Sequence, residues 1–252
     1  MISRKGTVES YQPVLAYVAA RLGRPVELIQ RRTYAEVNDL VESGFVDVAF
    51  VCTSAYLGGR QKFGMELLVA PEVKGAAVYH SVLLVPANSH ARSMADLHGK
   101  VFAFTDPMSH TGRVYPTFLV QQMDTTVESF FARTFFTHSH DDAIRAVARG
   151  VADGAAVDEI VYDFAVERDV SLRDKTRIIH RSPPFGMPPV VVGPNIRPQL
   201  KAELRHLLLN MASDDEGKAV LQNFGIERFV PSSDRAYDSA RALLSAVGPA
   251  AQ

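Results

Sequence analysis

The run Val101-Phe-Ala-Phe104, stopped by Thr105-Asp-Pro107 and followed by Val114, Phe118 and Gln121 to Met123 at helical spacing, reads as a strand, a tight turn and a helix. The same unit recurs along the chain. Val46-Asp-Val-Ala-Phe-Val51 is a near-continuous apolar run of the kind buried on both faces of a sheet, with Cys52-Thr-Ser-Ala-Tyr56 at its carboxyl end. Thr134 to Thr137 leads through His138-Ser-His-Asp-Asp142 into a helix ending at Gly150, and Asp153 to Asp158 leads into a helix over Glu159 to Arg168. Strands alternating with helices define an α/β protein. In open sheets of that class, ligands bind at the carboxyl ends of the strands.

The remaining elements follow from periodicity and punctuation. Val14, Leu15, Val18 and Leu22 share a helical face, with Pro13 suited to the first turn and Gly23 to the stop. Pro25 to Gln30 reads as a short strand, and Thr33-Tyr-Ala-Glu36 has capping-box spacing ahead of Val37, Leu40 and Val41. Met65 to Pro71 and Val78 to Pro86 read as strands, the second polar at its start through Tyr79, His80 and Ser81. Ala87 to Arg92 is a polar connection, expected to carry the chain into a second domain. Ser182-Pro-Pro-Phe-Gly-Met-Pro-Pro189 is too rich in proline for helix or sheet and is expected to carry it back. The expected lobes are therefore 1–86 with 188–252, and 87–187. Val190 to Val192 rejoins the first sheet, and Pro198 to Met211, Asp214 to Phe224 and Ser233 to Val247 close the fold as helices.

The polar turn after Val101–Phe104 carries Ser109, His110 and Thr111 where the first N–H groups of a helix have no internal partner. Hydroxyls, free N–H groups and the positive helix end suit a tetrahedral oxyanion; Ser109 or Thr111 capping its own helix is the plain alternative. Composition sharpens this. With 27 basic and 28 acidic residues and a net charge of −1, the chain offers no field for nucleic acid, so a ligand's charge must be met locally. No apolar run is long enough to enter a membrane, and one cysteine excludes an internal disulfide and a cysteine-based zinc site. No phosphate loop, metal motif or nucleophile with a suitably spaced base is present, so neither a cofactor nor catalysis is expected.

Seven pieces occur in order: Tyr11-Gln-Pro13, Tyr34-Ala-Glu36, Val46 to Phe50, Asp106-Pro107 with Ser109 and Gly112, Ser139-His-Asp141, Ala155 to Asp158 with Tyr162, and Ser182-Pro-Pro184. Taken together, the chain resembles the phosphate-, phosphite- and phosphonate-binding proteins of ABC transporters. The resemblance implies a two-lobed type II periplasmic binding protein fold, with a ligand cleft between lobes and two hinge crossings. It also implies capture of a small oxyanion without chemistry, by a periplasmic monomer serving a permease. In that reading Ser109, His110 and Thr111 grip the oxygens, with Thr53, Tyr56, Tyr79, His140 and Asp158 as further ligand residues. A periplasmic location requires a signal peptide upstream or already removed; otherwise the chain is cytoplasmic. The family pattern also places a strand before the Tyr11 helix. Only ten residues precede Tyr11 and none forms an apolar run, so the first lobe is expected to lack that strand and the gene product to start upstream.

Several residues keep two readings. Asp158 either caps the next helix or faces the ligand, where a carboxylate selects a protonated anion. His140 is a helix-start hydrogen-bonding residue or a cleft residue, and His110 adds a charged donor or narrows the pocket. Cys52 is a small buried hydrophobe or, as in arsenite-sensing relatives of the superfamily that partner a histidine kinase, an arsenic ligand. A cofactor-biosynthesis enzyme on the same fold is the remaining alternative. Arg113 reads as a solvated residue one turn into its helix.

Overall fold

A computed structural model of the chain describes residues 4–248. They form two compact units, Arg4–Val78 with Gly186–Asp238 (the first unit) and Tyr79–Phe185 with the segment from Ser239 onward (the second).

The first unit opens with α1 (Arg4–Leu22), α2 (Tyr34–Glu42), β1 (Ala49–Phe50), α3 (Thr53–Phe63) and β2 (Glu66–Glu72). β3 (Val78–Tyr79) leads across, and β4 (Ser81–Pro86), a 3-10 turn over Ala95–Leu97, and β5 (Val101–Phe104) follow. Then come a π-turn over His110–Val114, α4 (Tyr115–Gln121), α5 (Val127–Phe130), β6 (Arg133–Phe136), α6 (His140–Ala148), β7 (Gly154–Asp158), α7 (Glu159–Arg168), α8 (Ser171–Lys175) and β8 (Thr176–Arg181). β9 (Phe185–Gly186) leads back to β10 (Val190–Val192), α9 (Pro198–Asn210), α10 (Asp215–Phe224), β11 (Arg228–Val230) and α11 (Asp238–Val247).

The second unit is built on a five-stranded sheet in the order β6-β5-β7-β4-β8, with β5 parallel to β6 and β7, and β4 antiparallel to β7 and β8. Alternate residues of its central strands feed two separate cores. Val82, Leu84, Ala103, Ala155 and Val157 pack with Ile144 and Val147, while Leu83, Val85, Phe102, Phe104 and Ala156 pack with Val120, Phe130 and Phe131. A sheet covered on both faces requires continuous apolar runs rather than alternation, which is why these strands were legible. The parallel strands β5, β6 and β7 end on one edge, and each passes there into a helix. The start of β4 lies on the same edge, with Ser81 opposite Asp158.

The first unit has a four-stranded sheet, β1-β10-β2-β11, antiparallel throughout, over a core of Val14, Tyr17, Val18, Leu68, Val69, Leu204, Leu208, Leu221 and Phe229. The capping box at Thr33 and Glu36 is present as expected. Three expectations change here. Pro13 lies inside α1 rather than in its first turn, because the helix already begins at Arg4. Pro25 to Gln30 joins no ladder: no described strand runs alongside, so an extended apolar run has nothing to pair with. The Val46 to Val51 run contracts to Ala49–Phe50 for a related reason, since among the described residues β1 has a partner, β10, on one side only.

The crossings also move. The Val78 to Pro86 run breaks at His80: Val78–Tyr79 pairs with Phe185–Gly186, whereas Ser81–Pro86 takes both its neighbours in the five-stranded sheet. The first boundary therefore falls between Val78 and Tyr79, before the strand and not after it at Ala87 to Arg92. The return falls between Phe185 and Gly186, inside the expected proline-rich stretch. Residues from Ser239 on belong with the second unit rather than closing the first.

Candidate functional site

The shared edge of the second unit's sheet gathers the polar residues of four chain segments. Ser109 is the N-cap of the π-turn, its hydroxyl oxygen accepting the Gly112 N–H at 3.0 Å. The Arg113 and Val114 N–H groups both reach the Ser109 carbonyl, at 3.0 and 2.9 Å, so the widened turn is closed behind His110 and Thr111. Such π-turns recur at binding sites because they displace backbone groups from ordinary helical pairing. Thr111 is 1% exposed, and its only hydrogen bond among the described residues is at its carbonyl, which accepts from Ser81 Oγ at 2.7 Å. Its N–H and hydroxyl make no hydrogen bond among the described residues. The Ser109 hydroxyl, used only as an acceptor, has its proton to give.

His140 follows Ser139, the cap of α6, and its Nδ1 accepts the Asp158 N–H at 3.1 Å. An imidazole nitrogen that accepts carries no proton, so Nε2 is the N–H donor. Burial holds the His140 pKa well below the usual histidine range, and the ring stays neutral. Asp158 caps α7: Oδ1 accepts from the Ile160 N–H at 2.8 Å and the Val161 N–H at 3.4 Å, and Oδ2 has no partner among the described residues. The capping reading of Asp158 therefore holds, and the cap uses one carboxylate oxygen. Desolvation outweighs those two bonds and raises its pKa to about 6.

His110 is fully buried, edge-on to Phe185 with ring centroids 4.3 Å apart. Burial depresses its pKa to about 3, so at neutral pH it is no charged donor. Tyr79, 2% exposed, lies 6.4 Å from the same Phe185 ring. Arg113 is half-buried over Phe104, at 4.4 Å from the ring centre, and not simply solvated. His80, Ser81 and Ser182, none of them among the expected ligand residues, form a hydrogen-bonded group at the start of β4. His80 donates Nδ1–H to the Ser182 carbonyl at 2.7 Å, the Ser182 hydroxyl accepts the Ser81 N–H at 2.9 Å, and the Glu159 N–H reaches the His80 carbonyl at 3.0 Å. The signal available in sequence was the polar start of an otherwise apolar strand.

Thr53, Tyr56 and Cys52 lie in the first unit. The Thr53 hydroxyl donates to the Gly186 carbonyl at 2.9 Å, and the Tyr56 hydroxyl to Asp234 at 2.8 Å, where Arg60 also reaches Asp234 at 3.1 Å. Tyr56 is fully buried against Tyr237, whose hydroxyl donates to the Met187 carbonyl. Cys52 is half-buried at the N-cap of α3 and makes no side-chain cap bond. Among the described residues no group of three or more His, Cys, Asp or Glu is placed to hold a metal, and no helix is long and apolar enough to cross a membrane.

Comparison with known proteins agrees with this architecture. The crystal structure of a binding protein component of an ABC phosphonate transporter from Pseudomonas aeruginosa superposes with a TM-score of 0.89 at 22% identity, over 96% of this chain and 82% of that one. The fold is that of the type II periplasmic binding proteins. Residues 1–237 match the ABC transporter, phosphonate, periplasmic substrate-binding protein family, and the chain belongs to it. A phosphate-import protein of Mycolicibacterium smegmatis is 29% identical over 171 residues, 63% of this chain and 53% of that protein, so the match spans about half of that relative. The phosphonates-binding periplasmic protein of Escherichia coli is 25% identical over 237 residues, 92% of this chain and 70% of that protein.

Proposed function

We propose that this chain captures a small phosphorus oxyanion, a phosphonate, phosphite or phosphate, and delivers it in the periplasm to an ABC permease. The observation that carries the reading is the set of unspent hydrogen-bonding groups on one sheet edge: the Thr111 N–H and hydroxyl, the Ser109 hydroxyl proton and His140 Nε2–H as donors, with Asp158 Oδ2 as acceptor. Donors of this kind surround the oxygens of an anion. A carboxylate beside them repels a dianion but accepts the proton of a monoanion, so the set favours hydrogen phosphonate or hydrogen phosphite over fully ionised species. The membership of the chain in a family of phosphonate-binding proteins supports the same ligand class.

The test is calorimetric titration of methylphosphonate, phosphite and phosphate into the wild type, Ser109→Ala and Thr111→Ala. Losing a hydrogen bond to a charged group costs about 1.5 to 3 kcal/mol, so each substitution weakens the preferred ligand by roughly ten- to a hundredfold. Unchanged affinity in both variants would remove the reading.

A further inference from the structure

Thr105 stands between the two donor-bearing loops and touches both. Its N–H bonds to the Gly112 carbonyl at 3.3 Å, and its carbonyl accepts the His138 N–H at 2.6 Å, two residues before His140. Its side chain fills the space over Gly112. A methyl group placed on Gly112 would lie 1.9 Å from Thr105 Oγ1, 2.7 Å from Cγ2 and 2.8 Å from Cβ, far inside contact distance. The residue is 1% exposed, and its buried hydroxyl has no hydrogen-bond partner among the described residues. A buried hydroxyl left without a partner is a cost, so what this side chain contributes is volume.

We propose that Thr105 and Gly112 are positioning residues for the anion site: their contact sets the distance of the Ser109–Thr111 turn from the end of β5, and so fixes where the Thr111 N–H and Ser109 hydroxyl stand relative to His140. Thr105 is the wall and Gly112 is the only residue type that lets the turn approach it. Two backbone bonds, one to each loop, keep the wall in register with both donors. This inference rests on the oxyanion reading of the turn.

The experiment compares wild type, Gly112→Ala, Thr105→Val and the double variant Gly112→Ala with Thr105→Gly, by circular dichroism, melting temperature and calorimetric affinity for methylphosphonate, phosphite and phosphate well below the melting point. Gly112→Ala should lose about tenfold or more in affinity while staying folded, since the turn is pushed away from its ligand position. Thr105→Val keeps the volume and should bind within about twofold of wild type, with an equal or higher melting temperature. The double variant removes the wall and should recover most of what Gly112→Ala loses. A merely structural role would change melting temperature without changing the affinity of folded protein. If wild type binds but Gly112→Ala binds equally well, or Thr105→Val abolishes binding, the positioning role is refuted. If Gly112→Ala does not fold, a double variant that folds without binding refutes it equally. A wild type that binds none of the three anions overturns the oxyanion reading itself, and this inference with it.

Discussion

Asp158→Asn separates the two duties of Asp158 and has a calculable pH signature. Asparagine caps a helix as well as aspartate does, so the bonds to the Ile160 and Val161 N–H groups survive, while the buried charge is removed. The carboxyl pKa rises from 3.8 to about 6 on folding because burial penalises its charged form. The folded protein therefore keeps this proton to higher pH than the unfolded chain, and unfolding releases it between those values. A group of this kind stabilises nothing by its charge: whatever stability it preserves below the unfolded pKa is lost as pH rises through the folded one. Two pKa units at about 1.36 kcal/mol each make the cost about 3 kcal/mol at pH 7.5, falling below about 1 kcal/mol at pH 4. For a chain of this size that is a melting temperature higher by roughly 6 to 12 °C in the variant at pH 7.5, with near-coincidence at pH 4. The melts must be run without phosphate or sulfate, since an occupying anion changes the charge at the carboxylate. A gap that does not change with pH, or a wild type more stable than the variant at pH 7.5, would refute the claim that Asp158 is desolvated.

The histidines predict the opposite slope. His110, with its pKa depressed to about 3, stabilises fully above the ordinary histidine value of 6.5 and loses that contribution as pH falls, so His110→Phe, which keeps the contact with Phe185, should flatten the acid limb of the melting profile. Tyr56→Phe removes the bond to Asp234 and should cost about 1 to 2 kcal/mol in denaturant unfolding with little change in affinity; a tenfold affinity loss would instead make Tyr56 a ligand residue. Cys52→Ser should leave phosphonate affinity unchanged in calorimetry, because no hydrogen bond from its thiol caps α3 and the two side chains are close in size.

The second unit was largely legible because its central strands β4, β5 and β7 are covered on both faces, which writes them as apolar runs, and because each parallel strand is followed by a helix. The first unit was less so. Pro25 to Gln30 has strand composition, but a strand needs a neighbour to pair with, and pairing is not a local property. Helix α3 went unread because Gly58 and Gly59 look like a break. Gly59 instead lies within the helix, packed close against the Met65 side chain, and the actual stop is Gly64 in the left-handed conformation, φ 79°. At the site, the turn Ser109 to Thr111 was visible as chemistry, yet its donor inventory was not. Which nitrogen of His140 carries the proton depends on the Asp158 N–H, and the Thr111 carbonyl is engaged only because β4 starts at Ser81 opposite Asp158. Nothing local to Tyr56 reveals its hydrogen bond, because its partner Asp234 lies 178 residues away.

A crystal structure of the chain with methylphosphonate tests the central claim most directly. The account predicts phosphonate oxygens within hydrogen-bond distance of the Thr111 N–H and hydroxyl, the Ser109 hydroxyl and His140 Nε2, with Asp158 Oδ2 facing the one protonated oxygen. A phosphonate bound away from the Ser109–Thr111 turn, or held there without the Thr111 N–H, would contradict it.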